Sequence, residues 1–145
     1  MLKNLKITDE QIRQLARLYG LKNSASLRAV IEVECRGNGF IQNGSVIEPV
    51  ILYEPFWAYR LVKAIDPKLA EDLANKLPEL FMRSAPRVYG KMSEQHTKLQ
   101  AACFALNPRG LRHIALKSCS WGMGQIMGFN FEAAGFTNFQ TFINA

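Results

Sequence analysis

Cysteine is scarce in this chain, and its spacing excludes more than its number. Cys35, Cys103 and Cys119 are an odd set with no C-x-x-C pair, which argues against a disulfide framework or a zinc site and points to reduced thiols and cytosolic synthesis. With only two histidines, no metal-ligand spacing is present, and no cofactor is expected. No apolar run approaches a membrane span, so stable membrane insertion is not expected. The start, MLKNLKITDEQ, lacks the long apolar core of a secretory signal. A dense basic run is also missing: Lys3, Lys6, Arg13, Arg17, Arg28, Arg36, Arg60, Lys63, Arg83, Arg87, Arg109, Arg112 and Lys117 are scattered, which argues against a nucleic-acid tail. There are no internal repeats and no low-complexity segments.

What is present fits one globular domain over residues 1–145, with 48% hydrophobic and 21% charged residues, an ordinary folded composition. The net charge of +6 favours polyanionic partners such as nucleic acid, anionic lipid or an anionic cell wall, and charge alone does not choose among them.

The segment Arg28 to Phe40, RAVIEVECRGNGF, organises the rest. Leu27, Val30, Ile31 and Glu34 fall at i, i+3, i+4 and i+7, the spacing of a core-facing stripe. Glu34 is therefore expected on the buried side, whereas Glu32 and Arg28 face solvent. Gly37 and Gly39 are expected to end the helix, since glycine accepts a left-handed C-cap. Burial and the negative helix end both favour a protonated acid at Glu34, which is what donating a proton to a glycosidic oxygen requires. The competing expectation is a helix-end Glu paired to Arg36 or to another of the many basic residues.

Before this segment, Thr8-Asp9-Glu10-Gln11 has the form of a capping box leading into Ile12, Leu15, Ala16 and Tyr19. After it, FIQNGSVIEPVILYE reads as a hairpin turning at Asn43-Gly44, or as three short strands, and nothing else looks like sheet. From Pro55 the chain is helical, through FWAYRLVKAI and then KLAEDLANKLPELF, which Pro78 is placed to break. SAPRVYGKM reads as a loop. Ser93 opens a helix through Leu99, Ala102, Cys103 and Leu106, and Asn107-Pro108 begins another with Leu111, Ile114, Ala115 and Ser118 on one stripe. The fold class is α+β, mainly α.

A second cluster is SCSWGMGQIMGFN, residues 118–130. Gly122, Gly124 and Gly128 alternate with bulky side chains, which suits a closely approached backbone. Gln125 can bridge sugar hydroxyls or orient a carboxylic acid, and Trp121 can form a stacking wall, though a core Trp is commoner. Met123 and Met127 read as core filler.

Together, VIEVECRGNGF, PVILYEPFWAYR, YGKMSEQHTKLQAACF and ALKSCSWGMGQIMGFN resemble the phage-type N-acetylmuramidase (endolysin) family of the lysozyme-like superfamily. The resemblance runs from about the first helix to the end of the chain. It implies a lysozyme-like helical domain with a small sheet after the catalytic helix. It also implies cleavage of the β-1,4 bond between N-acetylmuramic acid and N-acetylglucosamine in bacterial peptidoglycan. On it, Glu34 matches the catalytic glutamate and Glu54 a glutamate at the sheet-to-helix junction. Ser120, Gly122 and Gln125, with Trp121 among them, match a cleft-lining motif that Asn130 closes. Tyr89 and Gly90 match a loop near the sugar, and His96 matches a polar position where a surface His is the plainer reading. Cys35 departs from the family's usual Ser or Thr after the acid. The chain also stops at Ala145, inside a helix expected from Thr137, where relatives continue, so the resemblance implies a shortened product. A monomer made in a host cytoplasm without a signal peptide, acting in the periplasm or cell wall after release, completes the expectation.

For Glu54, the expected roles are the second carboxylate of a two-carboxyl mechanism or a salt bridge to Arg60 or Arg87. Three rival functions remain at this stage. The first is a lytic transglycosylase cutting the same bond to an anhydro sugar. The second is a truncated, non-catalytic peptidoglycan binder. The third, membrane disruption by a cationic helix, lacks a strongly basic amphipathic face.

Overall fold

Thr8 opens the first helix as its sequence requires. Its hydroxyl accepts from the Gln11 amide at 3.2 Å, while the Gln11 side chain accepts from the Thr8 amide at 2.8 Å, closing the capping box. The computed structural model describes residues 2–144, with side chains at 6–42 and 44–144. These residues divide into two compact units, one made of 1–50 with 121–125, the other of 51–120 with 126–145.

In the first unit, strand β1 (Leu2–Lys6) precedes helices α1 (Asp9–Leu18) and α2 (Ala25–Cys35), followed by β2 (Asn38–Asn43) and β3 (Val46–Pro49). The three strands form an antiparallel sheet in the order β1-β2-β3. The hairpin turns at Gly44-Ser45, one residue later than expected, with Asn43 paired to Val46 and Gly44 at φ +61. β1 was not expected. Its lysine-rich LKNLK carries no clean apolar alternation, and its strand state comes from pairing with β2.

The second unit opens with β4 (Ile51–Tyr53), helix α3 (Pro55–Ile65) and helix α4 (Pro67–Lys76). α4 stops before Pro78, whose ring restricts the residue ahead of it. Helix α5 (Met92–Leu106) buries Gln95, Leu99, Ala102, Cys103 and Leu106, and α6 (Arg112–Lys117) buries Ile114 and Ala115. Strands β5 (Cys119–Trp121) and β6 (Ile126–Met127) join β4 in a second three-stranded sheet. The expectation of a single sheet is therefore corrected: Ile51–Tyr53 leaves the hairpin for the second sheet, and the glycine-rich segment is itself a strand-turn-strand. A final helix, α7, spans Phe139–Asn144, two residues later than expected; Ala145 lies outside the described residues. The fold is mainly helical, as the sequence implied.

All three cysteines are free and buried, and burial pushes each thiol above its ordinary value. Ellman's reagent should therefore modify the native protein only as fast as it unfolds, and modify all three thiols once it is denatured. Rapid reaction of any thiol in the native state contradicts the packing described here. Among the described residues no helix is long and apolar enough to cross a membrane, and no group of His, Cys, Asp and Glu could hold a metal ion.

Candidate active site

α2 carries Glu34, but not on the buried stripe. Ile31 and Cys35 are buried and pack with Ile12, Leu27 and Met123, so the core-facing line is 27-31-35. Val30 is 53% exposed and Val33 80% exposed, and Glu34 is exposed with them. The expected burial is corrected: residue 34 lies on the exposed side of α2. Among the described residues Glu34 has no ion pair, so the competing pairing with Arg36 is absent too. Its side chain is exposed to solvent.

The end of α2 fixes where that carboxyl emerges. Arg36, not a glycine, takes the left-handed cap position at φ 52, and Gly37 follows at φ +78. A left-handed non-glycine residue costs roughly 1–2 kcal/mol. Gly39 plays another part: it lies in β2, where an added Cβ would stand 2.3 Å from Met123 Cγ, so its lack of a side chain admits Met123 to the core. Cys35 donates its thiol to the Ile31 carbonyl at 3.2 Å, so the departure from Ser or Thr is absorbed within the helix. Asn38, also buried, donates to the Arg36 carbonyl at 3.4 Å, while its Oδ1 has no partner among the described residues.

Gly122 and Gln125 belong to the same unit as Glu34. Gly122, at φ +67, donates its amide to the Val50 carbonyl at 2.8 Å. Gln125 holds a left-handed backbone at φ 46 and donates Nε2 to the Gly122 carbonyl at 2.8 Å. Strained conformations of this kind concentrate at functional sites. Trp121 is half-buried at the end of β5, and Met123 is core filler, as read from the sequence.

In the second unit, Glu54 is the residue before Pro55 at the start of α3, in extended conformation, and its amide donates to the Ser118 carbonyl at 3.0 Å. The Tyr89 phenol stands close to its carboxylate. Burial, and then the nearby Glu54 carboxylate, push the Tyr89 phenol up to about 12, so it keeps its proton throughout the physiological range. Neither expected salt bridge forms: among the described residues no ion pair includes Glu54, and Arg60 lies over the Trp57 ring at 5.1 Å. Ser120 is buried in β5, Gly90 is exposed at φ +84, and Asn130 is exposed at the end of a single 3-10 turn, Gly128–Asn130. His96 is half-buried on α5.

One residue of this constellation escaped the sequence reading. Gln95 is 1% exposed, and its side chain bonds the backbone of both Tyr53 and Tyr89. Its position on the apolar stripe of α5, four residues before Leu99, was the available clue.

Residues 23–145 match the family described as Muramidase, N-acetylmuramidase. The crystal structure of Burkholderia AP3 phage endolysin superposes with a TM-score of 0.70 at 33% identity, covering 97% of this chain and 48% of that one. The chain thus spans about half the length of that relative. Among curated proteins, none matches.

Proposed function

The chain belongs to the N-acetylmuramidase family, and on that premise we propose that it is a peptidoglycan-degrading glycoside hydrolase of endolysin type. The bond cleaved is the β-1,4 link between N-acetylmuramic acid and N-acetylglucosamine, and Glu34 is its general acid. The observation that carries this reading is the state of Glu34 inside the matched region: an exposed carboxyl at a helix end, with no ion pair among the described residues.

In the proposed reaction, Glu34 gives its proton to the glycosidic oxygen as the C1–O4 bond breaks, so N-acetylglucosamine leaves with a neutral 4-hydroxyl. Water supplies the hydroxyl that ends on C1 of N-acetylmuramic acid, and its remaining proton passes to a carboxylate. Glu54 is the proposed second carboxylate, with the Tyr89 hydroxyl as its donor. Trp121, Gly122, Gln125, Ser120, Gly90 and Asn130 are the proposed sugar contacts. No cofactor enters this chemistry. The net charge of +6 supports attraction to an anionic envelope. The proposed site of action is the periplasm or cell wall.

Digestion of purified sacculi with the wild-type protein tests the reading. Soluble fragments ending in reducing N-acetylmuramic acid are expected. Sedimentation of the protein with intact sacculi and no soluble fragments replaces the enzyme with the non-catalytic binder.

A further inference from the structure

The Glu54–Tyr89 pair has a third member that the chemistry above does not use. Gln95 accepts at Oε1 from the Tyr53 amide at 3.0 Å, and its Nε2 donates to the Tyr89 carbonyl at 2.9 Å and the Lys91 carbonyl at 3.1 Å. Tyr53 is the residue before Glu54, and the two are 42 and 41 positions earlier in the chain than Gln95. One buried amide thus grips both backbones that carry the pair. We infer that Gln95 is a positioning residue: by holding the Tyr53 amide and the Tyr89 carbonyl together, it sets the span across which the Tyr89 hydroxyl reaches the Glu54 carboxylate. The inference rests on the reading of Glu54 as a glycosidase carboxylate.

Several contacts surround this grip without replacing it. Lys98 Nζ also donates to the Tyr89 carbonyl, at 2.7 Å, which steadies the loop from its exposed side. The Tyr53 hydroxyl donates to the Leu80 carbonyl at 2.8 Å, and the Glu54 amide to Ser118 at 3.0 Å. These tie each segment to the fold, but among the described hydrogen bonds only those of Gln95 join the segment of Glu54 directly to that of Tyr89. A reacting carboxylate misplaced by 1 Å can lose about 100-fold in rate, so a group that sets such a span acts on kcat.

The test is a double-mutant cycle of Gln95→Met and Tyr89→Phe, read as kcat and KM on solubilised glycan. Each single variant should lower kcat about tenfold at unchanged KM, and the double variant should fall no further, because both act through the one approach of Tyr89 to Glu54. A multiplied loss in the double, an unchanged kcat in Gln95→Met, or a change in KM alone overturns the inference. If Gln95→Met does not fold by circular dichroism, Gln95→Glu, equal in size and still able to accept from Tyr53, takes its place.

A second arm needs no turnover. Near pH 11 a phenol titrating at about 12 is about one-tenth ionised, and the absorbance difference from Tyr89→Phe reads that fraction. The folded value lies above the ordinary 10.0, so the stability linked to it is fully present below about pH 10 and lost as pH rises through about 12. Gln95→Met should raise the ionised fraction several-fold, though not to full exposure, since burial is the larger cause. An unchanged fraction overturns the inference. A wild type that cuts no glycan sinks the glycosidase reading by itself, and the ionisation arm still decides whether Gln95 positions the pair.

Discussion

Replacing Glu34 with Gln should reduce glycan cleavage by about a thousandfold, the scale on which general acid catalysis operates. The substitution keeps size and hydrogen-bonding capacity and removes the transferable proton, so KM and thermal stability should stay close to wild type. Stability is expected to hold because Glu34 is exposed and carries no ion pair among the described residues. Turbidity clearing of chloroform-treated Gram-negative cells, alongside fragment release from sacculi, gives the readout. Near wild-type clearing by Glu34→Gln removes the acid assignment. Killing of untreated cells that survives the substitution, with fragment release abolished, assigns the killing to the cationic surface.

The second large effect is structural. An added Cβ at Gly128 would lie 2.7 Å from the Leu116 carbonyl oxygen and 2.8 Å from Lys117 Cα, both backbone atoms at the end of α6, and 3.0 Å from Phe139 Cε2. Backbone cannot rotate out of the way as a side chain can, so the turn at 128–130 must lift from α6. Overpacking of this kind costs about 2–3 kcal/mol, which lowers Tm by roughly 5–10 °C in a chain of this length. Gly122→Ala is the informative contrast. Gly122 has open space around its Cα, and only its φ of +67 opposes a side chain, so a cost of about 1 kcal/mol is expected. Calorimetric melting of both variants checks the pair. A Gly128→Ala protein that melts within about a degree of wild type contradicts the close approach described here.

The same glycine-rich segment shows how far sequence reaches. Alternation of Gly with bulky residues announced a closely approached backbone, and Gly128 has one. It did not announce strands, because β5 and β6 are three and two residues long, too short for a period-two pattern to register. Local signals with local causes were legible: the Thr8 capping box, the stop before Pro78, and the buried stripe of α5 at Leu99, Ala102, Cys103 and Leu106. Helix α2 misled by one rotation. Taking Val30 and Glu34 as the stripe ignored Cys35, whose free thiol behaves as a small hydrophobe and belongs to the 27-31-35 line.

The candidate site was legible in its residues and not in their contacts. Glu54 and Tyr89 were both singled out, but their approach spans 35 positions, and no periodicity encodes it. Gln95 was missed for the same reason. A polar residue on a helix reads as surface unless its partners are known, and one of its partners is 42 residues away.

The most direct measurement is mass spectrometry of sacculi digested by the wild-type protein in heavy-oxygen water. Acid-catalysed hydrolysis predicts that every new reducing end is N-acetylmuramic acid bearing one heavy oxygen at C1. Anhydro-sugar ends without the label, or label on N-acetylglucosamine ends, contradict it.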